Sequence, residues 1–384
     1  MNKEKLVTFC QDLVKIKSLS GNEGVVAQRV IKEMEALGYD EIMTDPYGNV
    51  IGKINGKGEK TILFEGHMDI VDVPTPKDWS VDPFGGVIKN GCLYGRGSAD
   101  MKSSLAAMIH GVSDLIGSSN SADIYVVAVV FEEIFEGVGF SKVLDMITPD
   151  AVILGEPNNL EIAIGQKGRA EIILETIGVN SHSAHPEVGV NAIDLMIPLL
   201  AKVKQIPVIE SEVLGKGILV ATDILSSPYP GASIVPDRCR ATIDRRLIED
   251  ESHESVLAPI QAVIDSLSNE IKDFKATASY SVEELPTYTG ASLHSERFYP
   301  GWILSESDTL VRNAKNVYNE LGMDPVISTY LFCTDGSSSA GERGIPTIGI
   351  GPAPAEMAHV VDEHVKIDNI VAAANIYCGL ASNF

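Results

Sequence analysis

A chain of 384 residues, 45% hydrophobic and 22% charged, is a globular protein long enough for more than one core. Its 53 acidic against 30 basic residues leave a formal charge of -23, which repels nucleic acid and anionic membrane and excludes both as partners. Cys10, Cys92, Cys239, Cys333 and Cys378 form no close pair, which excludes a disulfide framework and a thiolate zinc site.

In chain order, Leu6, Phe9, Leu13 and Ile16 recur as one face of a helix, and the charges among them differ from the apolar core of a signal peptide. With no uncharged run of membrane-spanning length, the expected setting is the cytoplasm. A second helix follows Ser20, with Val26, Val30, Met34 and Leu37 on one face and Gly38 as its stop. Strands are expected at 50–54 and 61–64, joined at Asn55-Gly56 as a hairpin. A helix is expected at 103–116, a buried strand at 124–131 ending in Glu132-Glu133, a short helix after Gly139, and a buried strand at 151–154 before Gly155-Glu156-Pro157. Alternating helices and continuous apolar strands mark an α/β sheet covered on both faces, in which ligands bind beyond the carboxyl ends of the strands.

From about Lys167 the texture changes. Strands at 170–177, 217–225, 240–247 and 276–282 and helices at 191–203 and 253–267 give a β-α-β-β-α-β order, the pattern of a ferredoxin-like α+β module. Residues 283–306 hold Pro286, Gly290, Pro300 and Gly301 and are read as a return linker. The first pattern then resumes with a helix at 308–321 and strands at 326–329 and 347–350. The division is therefore 1–167, an inserted 168–285, and 286–384.

The residues that carry chemistry gather at strand ends. His67 and Asp69 stand two apart, so that in an extended segment one can bind a metal while the other orients its imidazole. His67, Asp100, Glu133, Glu156 and His359 form an imidazole and carboxylate set that suits zinc, with manganese or cobalt also acceptable. Five such groups are too many for one tetrahedral ion with an open position and suit two ions sharing one carboxylate, for which Asp100 is the choice. Adjacent acids at the end of a buried strand are costly without a cation, so Glu133 is read as a ligand and Glu132 as the base that takes a proton from the activated water. Singly, each histidine is as readily a core or surface residue, Asp100 a helix cap and Glu156 a loop acid. Their joint occurrence favours a site. Gly95-Arg96-Gly97 lacks the third glycine of a dinucleotide loop, and neither a G-x-S-x-G elbow nor a Walker loop is present. Thr334-Asp335-Gly336 and the serines after it can cradle an anion at a helix start or form an ordinary turn and cap.

Gly66-His67-Met68-Asp69, Trp79 with Pro83-Phe84, Leu93-Tyr94-Gly95-Arg96-Gly97 through Asp100-Met101-Lys102, Glu132-Glu133, Gly155-Glu156-Pro157 and Ala358-His359 together resemble the di-zinc aminohydrolases. That family includes acetylornithine deacetylase, succinyl-diaminopimelate desuccinylase, carboxypeptidase G and aminoacylase, and residues 234–251 are most similar to its YgeY-like subgroup. The resemblance implies a zinc-peptidase-like catalytic domain, with a mixed sheet covered by helices, interrupted by a lid that also forms a homodimer. It implies two zinc ions per chain and a cis peptide after Asp100. It also implies that His182 polarises the scissile carbonyl, that Arg246 binds a substrate carboxylate, and that Thr334 and Asp335 contact substrate. Ser233 stands where relatives carry Asn, Cys333 where a glycine is frequent, and serines replace an arginine after Asp335, so the substrate is the part that departs. The expected activity is hydrolysis of a C–N amide bond in a small N-acyl amino acid or peptide through a water activated by two metal ions. The alternatives are a ureido or carbamoyl amide, or a catalytically silent binding protein on the same fold.

Overall fold

Residues 1–231 and 233–384 are described by a computed structural model, and they divide into two compact units. The first joins Met1–Gln166 to Glu284–His294 and Ile303–Phe384, and the second holds Lys167–Glu283 with Ser295–Trp302. The insertion lies close to the expected 168–285, except that the chain revisits the second unit at Ser295–Trp302.

Helix α1 (Lys3–Val14) buries Leu6, Phe9 and Leu13, and the side chain of Asn2 caps it by accepting from Lys5 N. Helix α2 (Gly24–Leu37) buries Val26, Val30 and Met34 and ends at Gly38, whose φ of 88° is open to glycine without strain. Strands β1 (Glu41–Thr44), β2 (Val50–Ile54) and β3 (Lys60–His67) follow, then α3 (Ser103–Ser113), β4 (Ala122–Val129), α4 (Val138–Leu144), β5 (Ala151–Leu154) and β6 (Ile162–Gln166). The expected hairpin between β2 and β3 does not form, because β4 lies between them and pairs with both. Gly56 instead allows a close crossing: its N–H donates to Asp123 Oδ1 at 2.8 Å, and a Cβ there would stand 2.1 Å from the Ala122 carbonyl oxygen.

The inserted unit runs β7 (Gly168–Ile177), α5 (Ala192–Val203), β8 (Ile218–Ser227), β9 (Arg238–Leu247), α6 (His253–Glu270) and β10 (Ala276–Tyr280). Its antiparallel sheet has the order β8-β9-β7-β10, the ferredoxin-like arrangement. Burial alternates along β7, so Ala170, Ile172 and Leu174 face Leu195 and Leu199 of α5 and Ile260 and Ile264 of α6. The segment 283–306 is not a free linker. Val282–Pro286 and Ser292–Glu296 pair as a hairpin, with Gly290 in its turn at φ 88°, and Phe298–Tyr299 joins the edge of β7. The prolines and glycines there punctuate strands.

The first unit is completed by α7 (Thr309–Glu320), β11 (Ile327–Tyr330), β12 (Thr347–Gly349) and α8 (Ile367–Ser382). Among the described residues its nine-stranded sheet has the order β1-β2-β4-β3-β5-β12-β6, with β11 on β6 and the short strand Trp302–Ile303 beyond. Strands β4, β3, β5 and β12 are mutually parallel, β1 and β2 run antiparallel to their neighbours, and β6 runs antiparallel to β12 but parallel to β11. Registers of His67 opposite Val129 and Glu65 opposite Leu154 bring the carboxyl ends of β4, β3 and β5 side by side. Helix α3, with Leu105, Met108, Ile109 and Val112 buried, covers one face of the sheet together with α8. Among the described residues, no helix is long and apolar enough to cross a membrane.

Candidate metal centre

His67 is the last residue of β3, Glu132 and Glu133 lie just past the end of β4, and Glu156 lies just past β5, so adjacent parallel strands deliver four of the expected side chains to one edge. Asp100 arrives on the turn that enters α3, where Gly97 at φ 80° passes so close to Ile70 that a Cβ would sit 2.6 Å from its Cγ2. The Asp100–Met101 peptide is cis. His359 comes from the loop after β12 and holds a left-handed φ of 63°.

These side chains converge. His67 Nε2 lies 3.0 Å from Asp100 Oδ1, 3.9 Å from Glu156 Oε1 and 4.0 Å from Glu132 Oε2. His359 Nε2 lies 3.2 Å from Asp100 Oδ2 and 3.0 Å from Glu133 Oε2. Among the described residues, Asp100 is the one carboxylate within 4.0 Å of both imidazoles, and it offers a different oxygen to each. Two clusters of donor atoms, His67 with Asp100 and Glu133 and His67 with Glu132 and Glu156, are tight enough to hold an ion.

The electrostatics call for cations. Burial first, and then the neighbouring carboxylates, push Glu132 and Glu156 well above the ordinary range, and burial also raises Glu133. Hydrogen bonds to Asp100 and Glu133 raise His359 to about 10. Burial alone would lower His67, but its bond to Asp100 overrides that and holds it well above its usual value. Without a metal, protons on the imidazoles and carboxyls must offset this density of buried acid. Divalent ions neutralise it directly, and the mixed nitrogen and oxygen donor set fits them.

Asp69 acts differently from the sequence expectation. The free nitrogen of His67, Nδ1, is 3.0 Å from the main-chain carbonyl of Asp69 and 3.6 Å from its carboxylate. The carboxylate instead accepts from Glu132 N at 3.2 Å, Glu133 N at 3.1 Å and Ser20 Oγ at 2.6 Å. Glu23, at the start of α2, takes the preceding N–H of Phe131 at 3.2 Å, where the backbone is held at φ 65°. Burial, then the charge of Asp69, raises Glu23 to about 8. Three successive N–H groups are thus fixed by two buried carboxylates. Sequence reasoning missed Ser20 and Glu23 because a polar loop before a helix carries no periodic signal. Asp69→Asn keeps one oxygen for an imidazole but places an amide donor against backbone donors, so kcat is expected to fall about 10- to 100-fold. Steady-state kinetics check this, and a wild-type kcat would return Asp69 to orienting His67.

Thr334 and Asp335 were expected to face substrate, but both are buried and engaged internally. The Thr334 hydroxyl donates to Gln166 Oε1, and Asp335 Oδ1 accepts from Gly137 N at 2.5 Å. They hold the loop that follows β11. His182 and Arg246 belong to the inserted unit. His182 is exposed on a two-residue strand paired with Ile234–Val235, and its Nδ1 accepts from Ala184 N at 3.0 Å. Arg246 is half-buried and donates to Asp244 Oδ1 at 2.9 Å.

A mixed sheet packed with helices, an inserted α+β unit and a cluster of two imidazoles and four carboxylates at parallel strand ends define a metal-dependent hydrolase. The chain belongs to the peptidase family M20/M25/M40, whose family model matches residues 63–383. It is 32% identical over 383 residues to the uncharacterized protein YgeY of Escherichia coli strain K12, covering 98% of this chain and 93% of that protein. It is 28% identical over 388 residues to succinyl-diaminopimelate desuccinylase 2 of Ruegeria sp. strain TM1040, with 97% and 93% covered. Aminopeptidase PepT of Bacillus cereus superposes with a TM-score of 0.77 at 22% identity, covering 100% of this chain and 99% of that one. The YXEP protein of Bacillus subtilis, described as a dinuclear metal-binding peptidase of family M20, gives 0.72 at 14% identity, with 99% and 97% covered. The chain is accordingly a metal-dependent amide hydrolase.

Proposed function

We propose that this chain uses two metal ions to cleave the C–N amide bond of a small N-acyl amino acid or short peptide. The observation that carries the reading is Asp100, whose two oxygens face His67 and His359 separately. His67, Asp100 and Glu156 would hold one ion, and His359, Asp100 and Glu133 the other. Zinc suits this set, and manganese or cobalt can replace it. Ions so held would polarise a carbonyl and lower the pKa of a water. Glu132 is buried beside them, with its main-chain N–H fixed by Asp69, and faces the same space as His67. It takes the proton of the attacking water and then gives it to the departing nitrogen, so that the acyl carbon gains oxygen and the amine leaves protonated.

On the inserted unit, the resemblance assigns His182 to the scissile carbonyl and Arg246 to a substrate carboxylate. A homodimer through this unit is part of the proposal. Among the described residues, strand β8 is a ten-residue edge that exposes Ile218, Val220, Ile224 and Leu225, a row of unpaired backbone and apolar side chains of the kind that a second copy covers. Metal analysis of protein purified without added metal is expected to approach two ions per chain. A panel of N-acetyl, N-succinyl and N-carbamoyl amino acids and dipeptides, assayed with zinc, manganese or cobalt, identifies the acyl group. A chain that binds no ion and gains no activity with any of the three overturns the proposal.

A further inference from the structure

The segments bearing Asp100 and His359 are far apart in sequence, and neither belongs to the strands that seat His67, Glu133 and Glu156. Something must set their separation, and one side-chain pair touches both. Glu363 is fully buried, and its Oε1 accepts from Ala99 N at 2.8 Å and Asp100 N at 3.2 Å. Its Oε2 meets Arg96 Nη1 at 2.5 Å. Its main-chain carbonyl accepts from Gly95 N at 3.0 Å and Ser98 Oγ at 3.3 Å, so the whole 95–100 turn is wrapped on one residue. Arg96, itself buried, sends its other nitrogen, Nη2, to the main-chain carbonyl of His359 at 3.3 Å. Its guanidinium lies 5.5 Å from the Trp79 ring, and its N–H is tied to the Pro83 carbonyl at 2.9 Å.

The forked guanidinium therefore bridges a carboxylate that grips the backbone of Asp100 and the carbonyl of His359, a residue held at φ 63°. A buried ion pair recovers little net stability because its desolvation cost is high, whereas its directional bonds fix geometry. We propose that Glu363 and Arg96 are positioning residues that set Asp100 against His359, and so set the affinity of the ion on the His359 side. The inference rests on the two-ion reading above. The pair touches neither His67 nor Glu156 by any hydrogen bond of the structure, so the other ion should feel it less.

The test is calorimetric titration of metal-free protein with zinc, with His359→Ala used to identify which binding step belongs to the His359 side. Glu363→Gln keeps the volume but presents an amide in place of one acceptor. Arg96→Lys keeps the charge beside Glu363 but lacks the second nitrogen for the His359 carbonyl. Both are expected to weaken the His359-side step by about 10- to 100-fold while the other step changes by less than about threefold. Thermal melts of the metal-free chains accompany the titrations, since a residue that only stabilises the fold would lower the melting point and leave both steps intact. Two unchanged steps in folded variants overturn the inference, and if Glu363→Gln does not fold, Arg96→Lys decides it alone. A wild-type chain with a single step overturns the two-ion reading and this inference with it, a result distinct from two wild-type steps that the variants leave unmoved.

Discussion

Glu132→Gln is expected to lower kcat by about 10³-fold, or about 4 kcal/mol of transition-state stabilisation, while metal content stays at the wild-type value. Glutamine matches glutamate in shape, so the Asp69 bonds to the main chain of residues 132 and 133 persist and the neighbouring Glu133 keeps its place. What is lost is the capacity to carry a proton from water to the leaving nitrogen. The environment of Glu132 supports that role. Burial and the charges of Glu156 and Asp335 raise its carboxyl, and cations at the adjoining groups would pull it back toward the working range. KM is expected to change by no more than a few-fold, because the carboxylate is assigned to proton movement and not to holding substrate. Turnover near the wild-type rate would remove Glu132 from the base role, and loss of metal in the variant would make it a ligand instead.

The fold was legible where the sequence repeats a physical period. Leu6, Phe9 and Leu13, or Val26, Val30 and Met34, could be assigned to buried helix faces because one spacing satisfies one side of a helix. Continuous apolar runs at 124–129 and 151–154 announced covered strands, and the acids that close them announced the site. Strand order was less legible. Asn55-Gly56 carries a hairpin signal that is local, whereas the insertion of β4 between β2 and β3 is a long-range decision made by burial. The same limit explains Thr334 and Asp335. Nothing in a Thr-Asp-Gly sequence states whether its polar groups point to solvent or toward Gln166 and Gly137. The metal-ligand types could be read from composition and spacing, but not what holds them. Glu23, Arg96 and Glu363 act through backbone groups of residues distant in the chain, and such contacts leave no mark on local sequence.

Removal of the shared carboxylate should separate a two-ion site from two independent ones. Asp100→Ala is expected to abolish activity and both ions' stabilisation, whereas Glu133→Ala should lose only the ion on the His359 side. Each bound ion raises folding stability by about 2.7 kcal/mol at a free concentration 100 times its Kd, so thermal melts with and without chelator read occupancy directly. The wild-type chain should show the full metal-dependent rise, Glu133→Ala roughly half of it and Asp100→Ala almost none. Geometry gives the reason for the graded series. Glu133 approaches His359 Nε2, while Asp100 meets both imidazoles with separate oxygens. Alanine at position 100 also leaves His67 without its 3.0 Å partner, so an ion on that side would be held only by His67, Glu156 at 3.9 Å and the base Glu132 at 4.0 Å, with no carboxylate shared with the His359 side. Equal residual stabilisation in the Asp100→Ala and Glu133→Ala chains would mean that Asp100 serves one ion only.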